Sequence, residues 1–305
     1  MNVHPAATRD PSRPLGPRVW LDMDQQALDD AYDQEVYAPN REVVVAGRHA
    51  ASARARTRLG APLRHAYGPS EHEGLDIFDC GTNGAPVNVL VHGGAWRRNK
   101  AADYALQAEV LVCAGAHSVI LDFINVDQAN GDLYPMYHQV RRALGWVWRN
   151  AKSFGGDPDR VYVSAHSSGS HLSGVVLTRG WQEEDLPRDA FKGAVLLSGM
   201  YDLHPVRLSK RSAYVKFTEA MVEDLSGQRH IAGLNTPLTL AHGTAETPEF
   251  QRQTRDFAEA VTAAGKTAQL IVGQGYNHFE LLETLANPYG LLGRAMLEQM
   301  GLVPK

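Results

Sequence analysis

The sequence predicts an α/β fold in which helices cover both faces of a mostly parallel, doubly wound sheet. Short apolar runs recur along the chain and alternate with segments of helix length. Buried parallel strands and their helical crossovers produce this alternation, because neither face of such a sheet meets water. One of the runs also ends in a turn of small residues centred on a serine, and a helical pattern follows it directly.

The apolar runs begin beyond Arg64. They predict strands over 87–91, 118–126, 161–164, 194–198, 238–242 and 268–272. The segments between and after them predict helices over 103–114, 133–154, 168–179, 249–264 and 287–300. Strands and helices in this order are typical of repeated strand–helix–strand units.

A chain of 305 residues can form one domain with a large core. Residues 1–18 are rich in proline and arginine and predict a disordered tail, so the domain is expected to span 19–305. Residues 21–59 have a helical pattern, with Asp22 and Asn40 as expected N-caps. Residues 203–234 are too long for a simple connection and predict a lid-like insertion of small helices.

The composition argues against several classes of protein. The net charge is −4, and no basic patch of the kind that binds nucleic acid or an anionic membrane is present. No apolar run has the length of a secretory signal or a membrane span. Cys80 and Cys113 are the only cysteines and are expected to be packed thiols. We therefore expect a soluble, cytoplasmic protein.

The pentapeptide AHSSG at residues 165–169 is the strongest functional motif. A strand, a sharp turn carrying Ser167 and a helix together describe a nucleophile elbow, which exposes the serine hydroxyl above the sheet. Small residues must flank such a turn. Gly169 meets this requirement, whereas Ala165 stands where a glycine is usual.

A second motif, HGGAW at residues 92–96, follows a predicted strand. A glycine loop lets backbone amides approach the negative oxygen that forms during acyl transfer. We expect the amides of Gly94, Ala95 and Ser168 to be the donors. His92 is interpreted as a residue that shapes the loop, and Trp96 is expected either to line the pocket or to pack beneath the loop.

A serine nucleophile needs a histidine to take its proton and a carboxylate to orient that histidine. His278 follows the last predicted strand and is the expected base, while Glu246 follows the preceding strand and is the expected acid. Asp202 is the alternative acid, because it also follows a strand. His166 is expected to be a packed neighbour of Ser167, and His242 is a less favoured base.

Metal and cofactor chemistry are not predicted. The histidines and acidic residues show no HExxH or comparable ligand spacing, and no phosphate-binding glycine loop is present.

Four segments, taken together and in order, resemble the kynurenine formamidase (arylformamidase) family of α/β hydrolases. They read HGGAW at 92–96, AHSSGSHL at 165–172, ETPEF at 246–250 and NHFE at 277–280. The resemblance implies the α/β-hydrolase fold, with Ser167 as nucleophile, Glu246 as acid and His278 as base. Three positions depart from the family pattern: Ala165, Glu246 in place of the more usual aspartate, and the segment DFINVD at 122–127.

The expected function is a serine hydrolase that removes a small acyl group from an aryl amide such as N-formylkynurenine. The alternative is a carboxylesterase or carbamate hydrolase acting on a small aromatic ester, and a non-catalytic ligand-binding protein of the same fold is a more remote one. Whether the chain forms a homodimer is left open. The candidate substrate contacts, most of which could equally belong to the core, are Trp96, Phe123, Tyr134, Tyr201 and Phe279.

Overall fold

A computed structural model describes residues 16–181 and 184–302 of the chain. Most of the expected tail therefore lies outside the described residues, and Arg18 begins the first strand. The strands are β1 (Arg18–Trp20), β2 (Met23–Asp24), β3 (Leu63–Ala66), β4 (Gly74–Phe78), β5 (Ala85–Val91), β6 (His117–Leu121), β7 (Gly156–His166), β8 (Phe191–Leu197), β9 (Leu238–Gly243) and β10 (Ala268–Gly273).

Eight of these strands form one sheet in the order β10-β9-β8-β7-β5-β6-β4-β3. Every pairing from β10 to β6 is parallel, whereas β4 pairs antiparallel with both β6 and β3. The prediction of a mostly parallel sheet is confirmed. The separate pair β1–β2 is antiparallel.

The α-helices are α1 (Gln25–Ala31), α2 (Gln34–Tyr37), α3 (Arg41–Leu59), α4 (Ala108–Cys113), α5 (Tyr134–Asn150), α6 (Ser168–Thr178), α7 (Leu203–Leu208), α8 (Glu219–Asp224), α9 (Pro248–Ala263), α10 (His278–Glu283) and α11 (Leu291–Gln299). Short 3₁₀ turns extend or connect several of them, at Ala101–Gln107, Ala151–Phe154, Lys210–Ala213, Gly227–Arg229, Ile231–Gly233 and Thr284–Ala286.

The core has two parts, one on each face of the sheet. Alternate residues of a strand point to opposite faces, so Val89 joins one part and Leu90 the other. Helices α5, α6 and α9 contribute side chains to the first part, and α4, α10 and α11 contribute to the second. Helices therefore cover both faces, as the apolar runs predict.

Four strands, β1 to β4, have no counterpart in the predictions from sequence. The apolar run of β4 is interrupted by Asp76, whose buried carboxylate accepts hydrogen bonds from Arg56 at 2.6 Å and Arg64 at 2.9 Å. These partners come from other parts of the chain, so a charge that looks unsuited to a buried strand is neutralised there. The edge strand β3 is largely exposed and lacks an apolar pattern.

Several boundaries differ from the sequence-based expectations. The strand expected over 118–126 ends at Leu121, and the next residue, Asp122, accepts a hydrogen bond from Ala101 N at 2.7 Å through its carboxylate. Asp24, not Asp22, caps α1 by accepting from Ala27 N. Cys113 is exposed, so the expectation of a packed thiol is wrong there.

Helices α1, α2 and α3 lie within 21–59, and α7 and α8 lie within 203–234. Asn40 occupies the N-cap position of α3, but its side chain donates to Glu280 Oε1 at 2.6 Å and so ties α3 to α10. No helix in the described ranges combines the length and apolar character needed to cross a bilayer.

Candidate active site

Ser167 occupies the turn between β7 and α6. Its backbone has φ +57° and ψ −122°, a conformation that costs energy for a residue with a side chain and is commonly retained at functional turns. The Ser167 amide donates to Leu197 O at 2.8 Å, which fixes the turn to β8. A Cβ atom at Gly169 would overlap the carbonyl oxygens of Val91 and His92, so only glycine allows β5 to approach α6 this closely.

His278 and Glu246 form a buried pair. Nδ1–H of His278 donates to Glu246 Oε2 at 2.8 Å. The other carboxylate oxygen, Oε1, accepts from Ser198 Oγ at 2.7 Å and from Gly243 N at 2.6 Å. Both oxygens of Glu246 are therefore held in place, and the carboxylate in turn orients the imidazole.

The position of His278 depends on the start of α10. Asn277 caps this helix, accepting from the amides of Phe279 and Glu280, while Glu280 accepts from Asn277 N. This reciprocal cap is a capping box, which satisfies amides that a helix start would otherwise leave unpaired. Nε2–H of His166 also donates to the carbonyl oxygen of His278 at 3.0 Å.

Burial decides the charge state of this pair. It lowers the pKa of His278, and the guanidinium groups of Arg211 and Arg48 lower it further. Burial also raises the pKa of Glu246, against the opposing hydrogen bonds from Gly243 and Ser198. The neutral imidazole is therefore favoured, and with its proton on Nδ1 it keeps a lone pair on Nε2 that can accept a proton.

The alternative acid lies elsewhere. Asp202 caps α7 by accepting from His204 N at 3.0 Å, and it also pairs with Arg229 at 3.3 Å. His242 ends β9 and its Nδ1 lies 3.2 Å from its neighbour Gly243 O. Of the residues considered as acid and base, the structure brings Glu246 and His278 together.

The loop after β5 has an unusual backbone. Gly94, Ala95 and Trp96 all have positive φ, at +128°, +54° and +63°. Gly94 O accepts from two later amides of the turn, and Trp96 N donates to Ser168 Oγ at 3.1 Å. Within the described ranges no acceptor takes a hydrogen bond from the amides of Gly94 or Ala95, and both residues line the same cavity as Ser167.

Histidines near Ser167 have structural contacts. The ring of His92 stacks on Phe123, with centroids 4.4 Å apart, and Nδ1–H donates to Gly93 O at 2.9 Å. His166 is buried, and Tyr104 Oη lies 3.3 Å from its Nδ1. Both rings support backbone segments beside the nucleophile.

Four of the five aromatic candidates lie outside the lining of the cavity as far as the structure is described. Trp96 is buried beneath the loop, where Nε1–H donates to His171 Nδ1 at 3.2 Å. Of the two expectations for Trp96, packing under the loop matches this position. Phe123 is used in the stack on His92.

Of the remaining aromatic candidates, two lie outside the lining of the cavity and one lies in it. Tyr134 donates to Asp224 Oδ2 at 2.7 Å, and Tyr201 is buried in a stack on Phe257 with centroids 4.1 Å apart. Phe279 lines the cavity and meets the ring of His278 edge-on. Of these three residues, Phe279 is the one that lines the cavity beside Ser167.

The cavity beside Ser167 has a volume of about 250 Å³. Gly94, Ala95, Ser167, His278 and Phe279 all line it. Much of its remaining wall comes from the N-terminal helices and from the segment around Lys210, which carry no local motif. The charged and carboxamide side chains that the sequence analysis did not single out are Asp33, Gln34, Glu35, Arg41, Arg48, Arg97, Arg98, Asn99, Lys210 and Arg211.

One other group of side chains in the described part of the chain could hold a metal ion. Asp79, Cys80 and His117 each offer one ligand atom, and these atoms lie within 4.8 Å of one another. The group lies at the amino ends of the parallel strands, since His117 is the first residue of β6. That no metal takes part in the reaction remains a prediction.

Comparison with known proteins finds kynurenine formamidases among the relatives of this chain. The chain is 27% identical to kynurenine formamidase of Danio rerio over 295 residues, which cover 92% of this chain and 98% of the relative. The kynurenine formamidase of Salmo salar is 26% identical over the same share of each chain. The chain has an α/β-hydrolase architecture and is similar to kynurenine formamidases along most of its length.

Further relatives of this hydrolase are esterases. Residues 75–196 match the family model described as BD-FAE. Esterase LipC of Mycobacterium tuberculosis is 27% identical over 66% of the hydrolase and 55% of the relative. Esterase 2 of Thermogutta terrifontis superposes with a TM-score of 0.67 at 21% identity, covering 81% of the hydrolase and 98% of that chain. These comparisons confirm the predicted α/β-hydrolase fold.

Proposed function

We propose that this protein is a serine hydrolase with Ser167 as nucleophile, His278 as base and Glu246 as the acid that orients the base. We call these three residues the proposed triad. The contact of 2.8 Å between Glu246 and His278 carries the proposal, because both residues are buried and His278 lines the same cavity as Ser167. A buried carboxylate with no free oxygen is suited to hold the imidazole in one tautomer.

The reaction proceeds in two steps. Nε2 of His278 takes the proton of Ser167 as Oγ attacks the acyl carbon, and the amides of Gly94, Ala95 and Ser168 stabilise the negative oxygen. The carbon–nitrogen or carbon–oxygen bond then breaks, and His278 returns the proton to the leaving group. His278 then takes a proton from water as the water oxygen attacks the acyl-enzyme, the bond from the acyl carbon to Ser167 Oγ breaks, and His278 returns the proton to Oγ as the acid leaves.

The proposed substrate is a small acyl group on an aryl amide, with N-formylkynurenine as the first candidate. Similarity to kynurenine formamidases along 92% of the chain supports this choice. The small cavity, with Phe279 in its wall, suits a compact aromatic substrate. A carboxylesterase acting on small aromatic esters is the second candidate, which the esterase relatives support.

The test compares hydrolysis of N-formylkynurenine and p-nitrophenyl acetate by the wild type and by Ser167→Ala. We expect the variant to lose roughly 10⁵- to 10⁶-fold in kcat on both substrates. Ser173→Ala is the matched control, because this buried hydroxyl in the same helix has no hydrogen-bond partner in the part of the chain that the structure describes. Ester turnover without deformylation would favour the second candidate, and normal turnover by Ser167→Ala would overturn the proposed triad.

A further inference from the structure

Six cationic side chains line the cavity beside Ser167, and they fall into two groups. Four of them form ion pairs with carboxylates and are at least partly exposed, as is ordinary for charges at the mouth of a cavity. These pairs are Arg41 with Glu35 at 3.2 Å, Arg98 with Glu35 at 3.9 Å, Arg97 with Asp127 at 2.8 Å, and Lys210 with Asp33.

The other two cations, Arg48 and Arg211, are only 4% and 6% exposed. Neither forms an ion pair with any carboxylate among the described residues, and Nε of each is buried without a hydrogen-bond partner. Arg48 Nη2 lies 3.4 Å from His49 Nε2, and Arg211 donates to Tyr214 Oη at 2.8 Å and Tyr32 O at 3.0 Å. These contacts are to uncharged groups.

Aromatic rings offset part of the cost of burying these charges. The Arg48 guanidinium lies 4.6 Å from the centroid of Tyr104, and that of Arg211 lies 5.5 Å from Trp96 and 5.8 Å from Phe250. Such contacts are weaker than the pairing with an anion that a buried cation normally requires.

Nearby carboxyl groups do not supply that anion. Glu283 is close enough to Arg48 for its pKa to be lowered by the guanidinium, but burial and Glu280 raise that pKa and no ion pair forms. Both oxygens of Glu246 are already used by His278, Ser198 and Gly243. The cavity therefore holds two buried positive charges for which the described residues supply no fixed counterion.

We propose that Arg48 and Arg211 bind a carboxylate of the substrate while Ser167 attacks a separate acyl group. This inference rests on the proposed function and narrows its substrate class to acylated aromatic compounds that carry a carboxylate. A guanidinium presents its N–H groups in a planar fork that matches a carboxylate, and the pairing is strongest where water is excluded. Gln34 lines the same cavity, its buried carboxamide has no hydrogen-bond partner within 16–181 and 184–302, and it offers a further polar contact.

The experiment uses N-formylkynurenine and its methyl ester, which differ in the carboxylate but share the reacting formamide. Arg48→Gln and Arg211→Gln are compared with Arg54→Gln, an exposed arginine of α3 outside the cavity. We expect each cavity variant to raise KM for the free acid by about 10- to 100-fold and to change KM for the ester less than threefold. Equal effects on acid and ester, or no effect, would overturn the proposal.

A second measurement separates this inference from the proposed function. Benzoate is tested as a competitive inhibitor of p-nitrophenyl acetate hydrolysis, so no formamide turnover is needed. We expect inhibition to weaken about 10- to 100-fold in the cavity variants but not in Arg54→Gln. Inhibition that is absent, unchanged by the substitutions, or stronger with inorganic phosphate would contradict a carboxylate site. If neither variant folds, the wild type decides the question. A wild type with no preference for N-formylkynurenine over its methyl ester would contradict a carboxylate site.

Discussion

The two ends of the sheet hold similar sets of side chains. The proposed triad lies at the carboxyl ends of the parallel strands. At their amino ends, His117 Nδ1 lies 3.1 Å from Asp79 Oδ1, and Nε2 lies 3.8 Å from Cys80 Sγ. A nucleophilic atom, an imidazole and a carboxylate thus meet at both ends. The two groups differ in the burial of the carboxylate and in the surroundings of the nucleophilic atom.

The carboxylates differ most. The side chain of Glu246 is fully buried and both of its oxygens are bonded, whereas the side chain of Asp79 is 49% exposed. At the amino end, Cys80 N also lies 3.3 Å from the Nδ1 atom that faces Asp79, so that nitrogen has two competing partners. Only the buried carboxylate can hold one tautomer without competition from water or a backbone amide.

The surroundings of the nucleophilic atoms differ as well. Ser167 is held at positive φ beside two amides that no described residue accepts from, and it faces a cavity. Cys80 follows β4 in a half-buried position and does not line that cavity. The comparison indicates that a candidate active site needs a fixed backbone at the nucleophile, amides available to the substrate oxygen and a cavity for the substrate, in addition to the right side chains.

Removing the carboxylate at each end should give the largest difference. Glu246→Gln can turn its amide N–H toward His278 and favour the wrong tautomer, so we expect kcat to fall by about 10³- to 10⁴-fold. Asp79→Asn should change kcat less than about twofold. Steady-state kinetics on p-nitrophenyl acetate measure both. A large loss in Asp202→Asn, with Glu246→Gln active, would instead assign the acid to Asp202.

Glycine substitutions should give the next largest difference. Gly94 has φ +128°, and a Cβ atom added to it would overlap the carbonyl of Arg98. Gly94→Ala must therefore shift the loop and its amides. We expect kcat to fall by about 10²- to 10³-fold, as when an oxyanion donor is lost.

Gly84 is the matched control near the amino ends of the strands. It has φ +73° and no atom within 4 Å of an added Cβ. Gly84→Ala should therefore cost about 1 kcal/mol of stability through backbone strain and leave kcat unchanged. Thermal unfolding and kcat are measured for both variants, and a Gly94→Ala enzyme with normal kcat would exclude this loop as the oxyanion site.

The pH dependence tests the electrostatics of the carboxyl end. Burial, Arg211 and Arg48 lower the pKa of His278, so the base should stay neutral and the rate high at pH values below the usual histidine range. A neighbouring cation disfavours the imidazolium form. Arg211→Gln removes one such cation, so the pKa of His278 should rise and the acid limb of kcat/KM should move to higher pH.

The acid limb is measured from a pH profile of kcat/KM on p-nitrophenyl acetate, which carries no carboxylate. Arg54→Gln is the control and should leave the limb in place. A limb that moves to lower pH in Arg211→Gln, or moves equally in the control, would show that this guanidinium does not act on His278.

The extent of prediction from sequence follows from how local each feature is. The turn at Ser167 and the loop at Gly94 depend on small residues that are adjacent in the chain, so a pattern of a few residues indicates them. The parallel strands are equally readable, because burial on both faces leaves uninterrupted apolar runs.

Features that depend on partners distant in the chain could not be predicted from the sequence. Arg48 lies in the pattern of an ordinary surface helix, and nothing local shows that α3 places it against the cavity. Strand β4 was not predicted because Asp76 interrupts its apolar run, and the cationic partners of Asp76 come from elsewhere in the chain. Trp96 and Tyr201 lie close to motifs in sequence, but tertiary packing buries them away from the cavity.

The smallest expected effect is at the amino end itself. Cys80→Ser keeps a polar atom at a half-buried position, so kcat/KM should change less than twofold and stability by about 1 kcal/mol or less. Alkylation of the wild type with iodoacetamide, followed by mass spectrometry, should modify thiols without inactivation. Cys113→Ser removes the exposed thiol and serves as the control. If alkylation lowers the activity of the wild type and of Cys113→Ser tenfold but not that of Cys80→Ser, the two ends of the sheet are coupled, because Cys80 does not line the cavity beside Ser167.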